Sequence, residues 1–77
     1  MTNSSQEAKE YAESLLSTLP GIEGYTNSQP EGTVYDVTCK SPFRSVAEWL
    51  IKGGWEVMHD SSESCVLAKG MIYFILQ

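Results

Sequence analysis

The chain is poor in the residue types from which small proteins build chemistry. Its 77 residues hold one histidine, two cysteines and five basic side chains. The cysteines, Cys39 and Cys65, stand far apart in sequence, whereas metal-binding and redox pairs sit a few residues apart and secreted scaffolds carry more of them. Both fall at apolar positions of expected strands and read as small buried hydrophobes in a reducing compartment, with a single disulfide between neighbouring strands as the alternative. His59, the lone histidine, and two distant cysteines do not furnish a transition-metal site. No glycine-rich phosphate loop is present, because Gly53-Gly54 stands alone where a helix should end. Neither a metal nor a cofactor is expected.

Long apolar runs are also missing, and the first residues show no positive stretch followed by an apolar one. That pattern predicts a soluble, cytoplasmic protein without an export signal. The shortage of bases against ten acids leaves a net charge of −5. A field of that sign repels phosphate backbones and anionic lipid, so direct nucleic-acid or membrane binding is not expected and the natural partners are neutral or basic.

What is present suits a folded globule, with 42% hydrophobic and 19% charged residues. The length fits one domain over residues 1–77, whose core supplies only about 3–5 kcal/mol of net stability. A partner, or a second copy in a homodimer, would reinforce it.

Seven elements can be placed. Ser4 to Glu7 fits a capping box, and Ala8, Tyr11, Ala12, Leu15, Leu16 and Leu19 recur at steps of three and four, which predicts a helix closed by Pro20-Gly21. A short strand from Ile22 to Thr26 and turn formers over 27–32 follow. From Thr33 to Cys39 the residues alternate, Tyr35, Val37 and Cys39 on one side, Val34, Asp36 and Thr38 on the other. Ser41-Pro42 reads as an N-cap with proline at the first helical position. Phe43, Val46, Ala47 and Leu50 form the second apolar stripe, widened by Trp49 and Ile51, and Gly53-Gly54 stops it with a left-handed cap. Strands are then expected over 55–59, 65–68 and 71–76. The predicted class is α+β, one antiparallel sheet with two α-helices, in the order α-β-β-α-β-β-β.

The last strand is apolar on both sides: Ile72, Phe74 and Leu76 face one way, Met71, Tyr73 and Ile75 the other. If both helices cover the first set, together with Trp55, Val57, Cys65 and Leu67, the second set joins Met58, Val66 and Ala68 in an exposed patch bordered by Glu56 and Asp60. Patches of that kind mark interaction surfaces. If instead one helix lies on each side, the strand is buried and no patch exists. The first arrangement is the expected one, because two short helices divided over five strands would cover both faces thinly.

Other chemistry is less well founded. His59 adjoins Asp60 and Ser61, but neighbours in a strand point to opposite faces, whereas a nucleophile, its base and an orienting acid must converge. Lys40, Ser41, Arg44 and Ser45 gather where a helix start favours an anion, as they do at many capped helices. Val46 to Ile75, a helix ending in Gly53-Gly54-Trp55 and then three strands, resembles the central part of the HicA-type toxins, which implies a double-stranded-RNA-binding type of fold and messenger-RNA cleavage. That family's Gly-Ser-His motif has no counterpart here. Ser62-Glu63-Ser64-Cys65 occupies the corresponding place, and no site carries over.

The function expected from these features is non-catalytic protein binding. The outline is that of the acidic inhibitors bacteriophages make against host defence or nucleic-acid machinery. Met58, Met71, Tyr73 and Ile75 would anchor a larger partner, and acids including Glu56, Asp60 and Glu63 would steer the chain onto a basic surface. The alternatives are a minimal nuclease or toxin-like enzyme built on His59 with Asp60 or Cys65, and an obligate homodimer.

Overall fold

A computed structural model of the chain describes residues 4–28, 33–40 and 42–77. Two helices, α1 (Ser4–Thr18) and α2 (Phe43–Lys52), accompany five strands, β1 (Ile22–Asn27), β2 (Val34–Cys39), β3 (Glu56–Asp60), β4 (Cys65–Lys69) and β5 (Ile72–Leu76). The α+β class and the order of elements are those expected. The strands form one sheet in the spatial order β1-β2-β5-β4-β3.

The sheet is mixed rather than wholly antiparallel. β1 with β2, β3 with β4 and β4 with β5 pair antiparallel, but β2 and β5 run parallel, from Val34 opposite Tyr73 to Val37 opposite Leu76. The reason is topological. Two antiparallel steps from β5 to β3 make β3 parallel to β2, and parallel strands need a long crossover, here α2. The hairpins β3-β4 and β4-β5 then fill the gap between β2 and β3. The last strand is therefore central, with a neighbour on each side. Backbone bonds extend the parallel ladder at both ends, Tyr73 N–H to Thr33 O at 2.9 Å and Cys39 N–H to Gln77 O at 2.8 Å.

Both helices lie on one face. Ala12, Leu16 and Leu19 of the α1 segment and Val46, Ala47 and Leu50 of α2 share a single buried cluster with Tyr35, Val37, Cys65, Leu67, Ile72, Phe74 and Leu76. Phe74 is its centre: Trp55 stacks on it at 4.4 Å between ring centroids and Tyr35 meets it edge-on at 6.0 Å. The Tyr35 hydroxyl escapes the apolar layer by donating to Glu13 Oε2 at 3.1 Å, and burial first, then this carboxylate, push its pKa up to about 12.

Local chemistry ends α2 as its sequence implies. Trp55 N–H reaches Leu50 O at 3.0 Å and Gly54 N–H reaches Ile51 O at 3.1 Å, a Schellman pair with Gly54 at φ 96° as the left-handed residue. Lys69 Nζ adds a bond to Gly53 O at 3.0 Å, placing a cation where the helix dipole is negative. The start of α2 differs from expectation: Pro42 is the N-cap and not the first helical residue, because its ψ of 151° is extended. The side-chain caps expected of Ser4 and Ser41 lie outside what the structure describes, as do residues 29–32 of the turn expected over 27–32, whereas Asn27 still belongs to β1. The open alternative for the cysteines is settled: both are free. Cys39 on β2 and Cys65 on β4 are separated by β5, about 10 Å of strand spacing, too far for a bridge.

Candidate functional site: the uncovered face of the sheet

The face turned away from α1 and α2 has a definite order, because residues opposite each other in a ladder share a face. One row runs Val34, Tyr73, Ala68, Glu56, and the next runs Thr26, Asp36, Ile75, Val66, His59. Val34, Tyr73, Ile75, Val66 and Ala68 make an apolar strip along the middle strands. Asp36 bounds it on β2 and Glu56 on β3. Tyr73 is 38% exposed, and Val34, Ile75 and Val66 are half-buried with none of the described elements above them. Ala68 is buried between larger neighbours, so the strip is shallowest there.

The face is also one-sided in charge. Lys69, the only lysine or arginine within the five strands, lies opposite Ile72 on the helix-covered side. No side chain among the described residues pairs with Asp36 or Glu56. The single ion pair among those residues, Arg44 with Asp60 at 3.1 Å, is also on the helix side.

Of the residues expected to bind a partner, the structure brings Tyr73, Ile75 and Glu56 together on this face. Met71 belongs to the turn before β5, not to the strand: Lys69-Gly70-Met71-Ile72 is a tight hairpin with Gly70 at φ 62°. Thr33 Oγ1 donates to Met71 O and ties that turn to the start of β2. Met58, 55% exposed, is the extra residue of a β-bulge between Val57 and His59 and has no ladder partner. The same bulge moves Asp60 off the expected border. It shifts the register so that Asp60 lies opposite Cys65, on the helix-covered side, where Arg44 holds it. Glu63 sits in the β3-β4 turn, its backbone N–H on Ser61 Oγ at 3.3 Å. Val57 faces the helix side as expected but remains 42% exposed, because β3 is an edge strand.

Val34 and Asp36 join the site in addition to the residues expected. Their shared side of β2 was readable from alternation, but the neighbour that makes it continuous with Tyr73 and Ile75 was not. The bulge bears on the nucleophilic alternative too. His59 faces the open side opposite Val66, while Asp60 and Cys65 face the other, and burial pushes the Cys65 thiol above its ordinary pKa, away from the thiolate form. Of the cluster expected at the start of α2, Arg44 is engaged elsewhere, its guanidinium donating to Asp60 and to Ser61 O at 3.1 Å, and Ser41 lies outside the described residues.

Elsewhere, a shallow depression of about 220 Å³ opens between the α1-β1 turn and α2, lined by Pro20, Gly21, Pro42, Ser45, Val46 and Trp49. It contains no titratable side chain. Among the described residues no group of three histidine, cysteine or acidic side chains is placed to hold a metal, and no helix is long and apolar enough to cross a membrane.

The fold and face thus define an acidic α+β domain with one bare, largely apolar sheet surface. No family model, curated protein or solved structure matches the chain. The short likeness to the HicA-type toxins gains no support from those comparisons.

Proposed function

We propose that this chain is a non-catalytic binding protein, an inhibitor that docks through the uncovered sheet face onto a basic surface of a larger protein and occludes it. One observation carries the reading: both helices lie on the same side of the sheet, so Tyr73, Ile75, Val66 and Val34 lack a cover that a two-sided arrangement would have supplied. Aromatic and aliphatic groups in such a strip serve as anchors once desolvated. The net charge of −5, with Asp36 and Glu56 at the margins, favours a basic partner and speeds its approach. It also opposes face-to-face pairing of two copies, each of which brings the same charge. A surface that otherwise holds nucleic acid has the required sign.

Capture on the immobilised chain from the native host, followed by mass spectrometry, identifies the partner. Tyr73→Glu is expected to abolish capture while circular dichroism stays native, and retained capture rejects the face. His59→Ala, at the β3 margin of the same face, is expected to alter the biological effect only as far as it alters capture. A loss of effect with capture intact would favour the enzyme alternative.

A further inference from the structure

The dimensions and borders of the open face specify what it receives. Asp36 on β2 and Glu56 on β3 are separated by three strand spacings, about 14 Å, with only β5 and β4 between them. A helix with its side chains is about 10–12 Å across. The apolar strip is therefore one helix wide, and each long edge carries an acid within reach of a side chain leaving the flank of that helix. Each central strand presents two residues to the strip, Tyr73 and Ile75 on β5 and Val66 and Ala68 on β4, so its apolar rows lie about 7 Å apart along the strands, the rise of little more than one helical turn.

Two other occupants fit less well. Strand addition needs a regular free edge, but both edge strands carry irregular pairing, β1 between Ile22 and Gly24 and β3 between Val57 and His59. Bulges of this kind blunt edge pairing. A second copy has two helices to offer, but the apolar stripe of each, Ala12 to Leu19 and Val46 to Leu50, is already buried against its own sheet, and the exposed Glu7, Glu10 and Glu13 of α1 have the wrong sign.

Resting on the docking role above, we propose that the face accepts one basic amphipathic helix of the partner, its apolar stripe on Val34, Tyr73, Ile75, Val66 and Ala68 and its flanking lysines or arginines over Asp36 and Glu56. The partner thereby supplies the helix layer that this side of the sheet lacks. Lysine and arginine suit the margins, since their stems lie along apolar surface while the charged heads reach outward.

The test uses three helix-forming peptides of equal length against the full chain. The first has leucine at i, i+3, i+4 and i+7 with lysine on both flanks, the second is its scrambled isomer, and the third carries glutamate for every lysine. Fluorescence anisotropy gives affinity, and amide shifts locate the contact. The amphipathic lysine peptide is expected to bind at least about tenfold tighter than either control, shifting β4 and β5 amides. Asp36→Lys with Glu56→Lys should weaken it about tenfold. Equal binding of the scrambled peptide, shifts confined to α1 or α2, or no binding of the lysine peptide overturns the inference. If the lysine peptide fails while Tyr73→Glu still ends partner capture, only the helix is rejected and the docking face stands. Capture that survives Tyr73→Glu rejects both.

Discussion

Truncating Tyr73 to alanine separates what the sheet already covers from what a partner must cover. An aromatic side chain presents about 200 Å², and Tyr73 is 38% exposed. About 75 Å² therefore awaits a partner, worth about 2 kcal/mol at about 25 cal/mol per Å², or roughly a thirtyfold loss of affinity. The covered remainder lies against neighbours such as Val34 and Ala68, so folding stability should also fall, by about 1.5–3 kcal/mol. Binding must accordingly be measured well below the melting transition of the variant, followed by circular dichroism. Calorimetric titration of the captured partner gives the affinity. Trp49→Ala is the matched control, because Trp49 on α2 is 48% exposed yet lies in the helix layer. A Kd that changes less than about threefold in folded Tyr73→Ala would refute the reasoning. So would a larger loss in Trp49→Ala, which would move the docking surface to the helix side.

Phe74→Ala removes the fully buried ring between Trp55 and Tyr35. It should cost about 3–5 kcal/mol, comparable to the whole stability of so small a domain, and urea titration should find it largely unfolded. Gly54→Ala should cost about 1–2 kcal/mol through its left-handed φ of 96° rather than through a clash, since the nearest neighbour of an added Cβ is Lys69 Nζ at 3.9 Å. An unchanged urea midpoint would contradict this. Asp60→Asn breaks an exposed ion pair worth at most about 1 kcal/mol and, lying on the helix side, should leave partner affinity unaltered; Glu56→Gln should weaken it. Tyr35 has its folded pKa raised above its unfolded value, so its contribution is complete below about pH 10 and is lost as pH rises toward about 12. Urea titrations at alkaline pH should show that decline in the wild type and a shallower one in Tyr35→Phe.

Much of this molecule is local in origin. The stripe from Ala12 to Leu19, the stripe from Val46 to Leu50, the Gly53-Gly54 stop and the alternation of β2 and β5 each follow from period and turn chemistry, which act over a few residues. The bulge in β3 had no such sign. Trp55 to Asp60 alternates acceptably without it, and the extra residue at Met58 exists only because β3 must pair with β4. It alone decides that His59 shares a face with Val66 while Asp60 turns toward Arg44.

From its sequence alone, the chain determined its elements, its acidity and the fact that β5 is apolar on both sides. Only the tertiary structure decided which side is covered and which strands flank it. Ile72, Phe74 and Leu76 are no more apolar to inspection than Met71, Tyr73 and Ile75, and local periodicity cannot choose between two equally greasy faces. The choice was made by packing at long range: a crossover through α2 set β5 parallel to β2, both helices settled over Phe74, and Val34 and Asp36 came to lie beside Tyr73 and Ile75 on the side left bare.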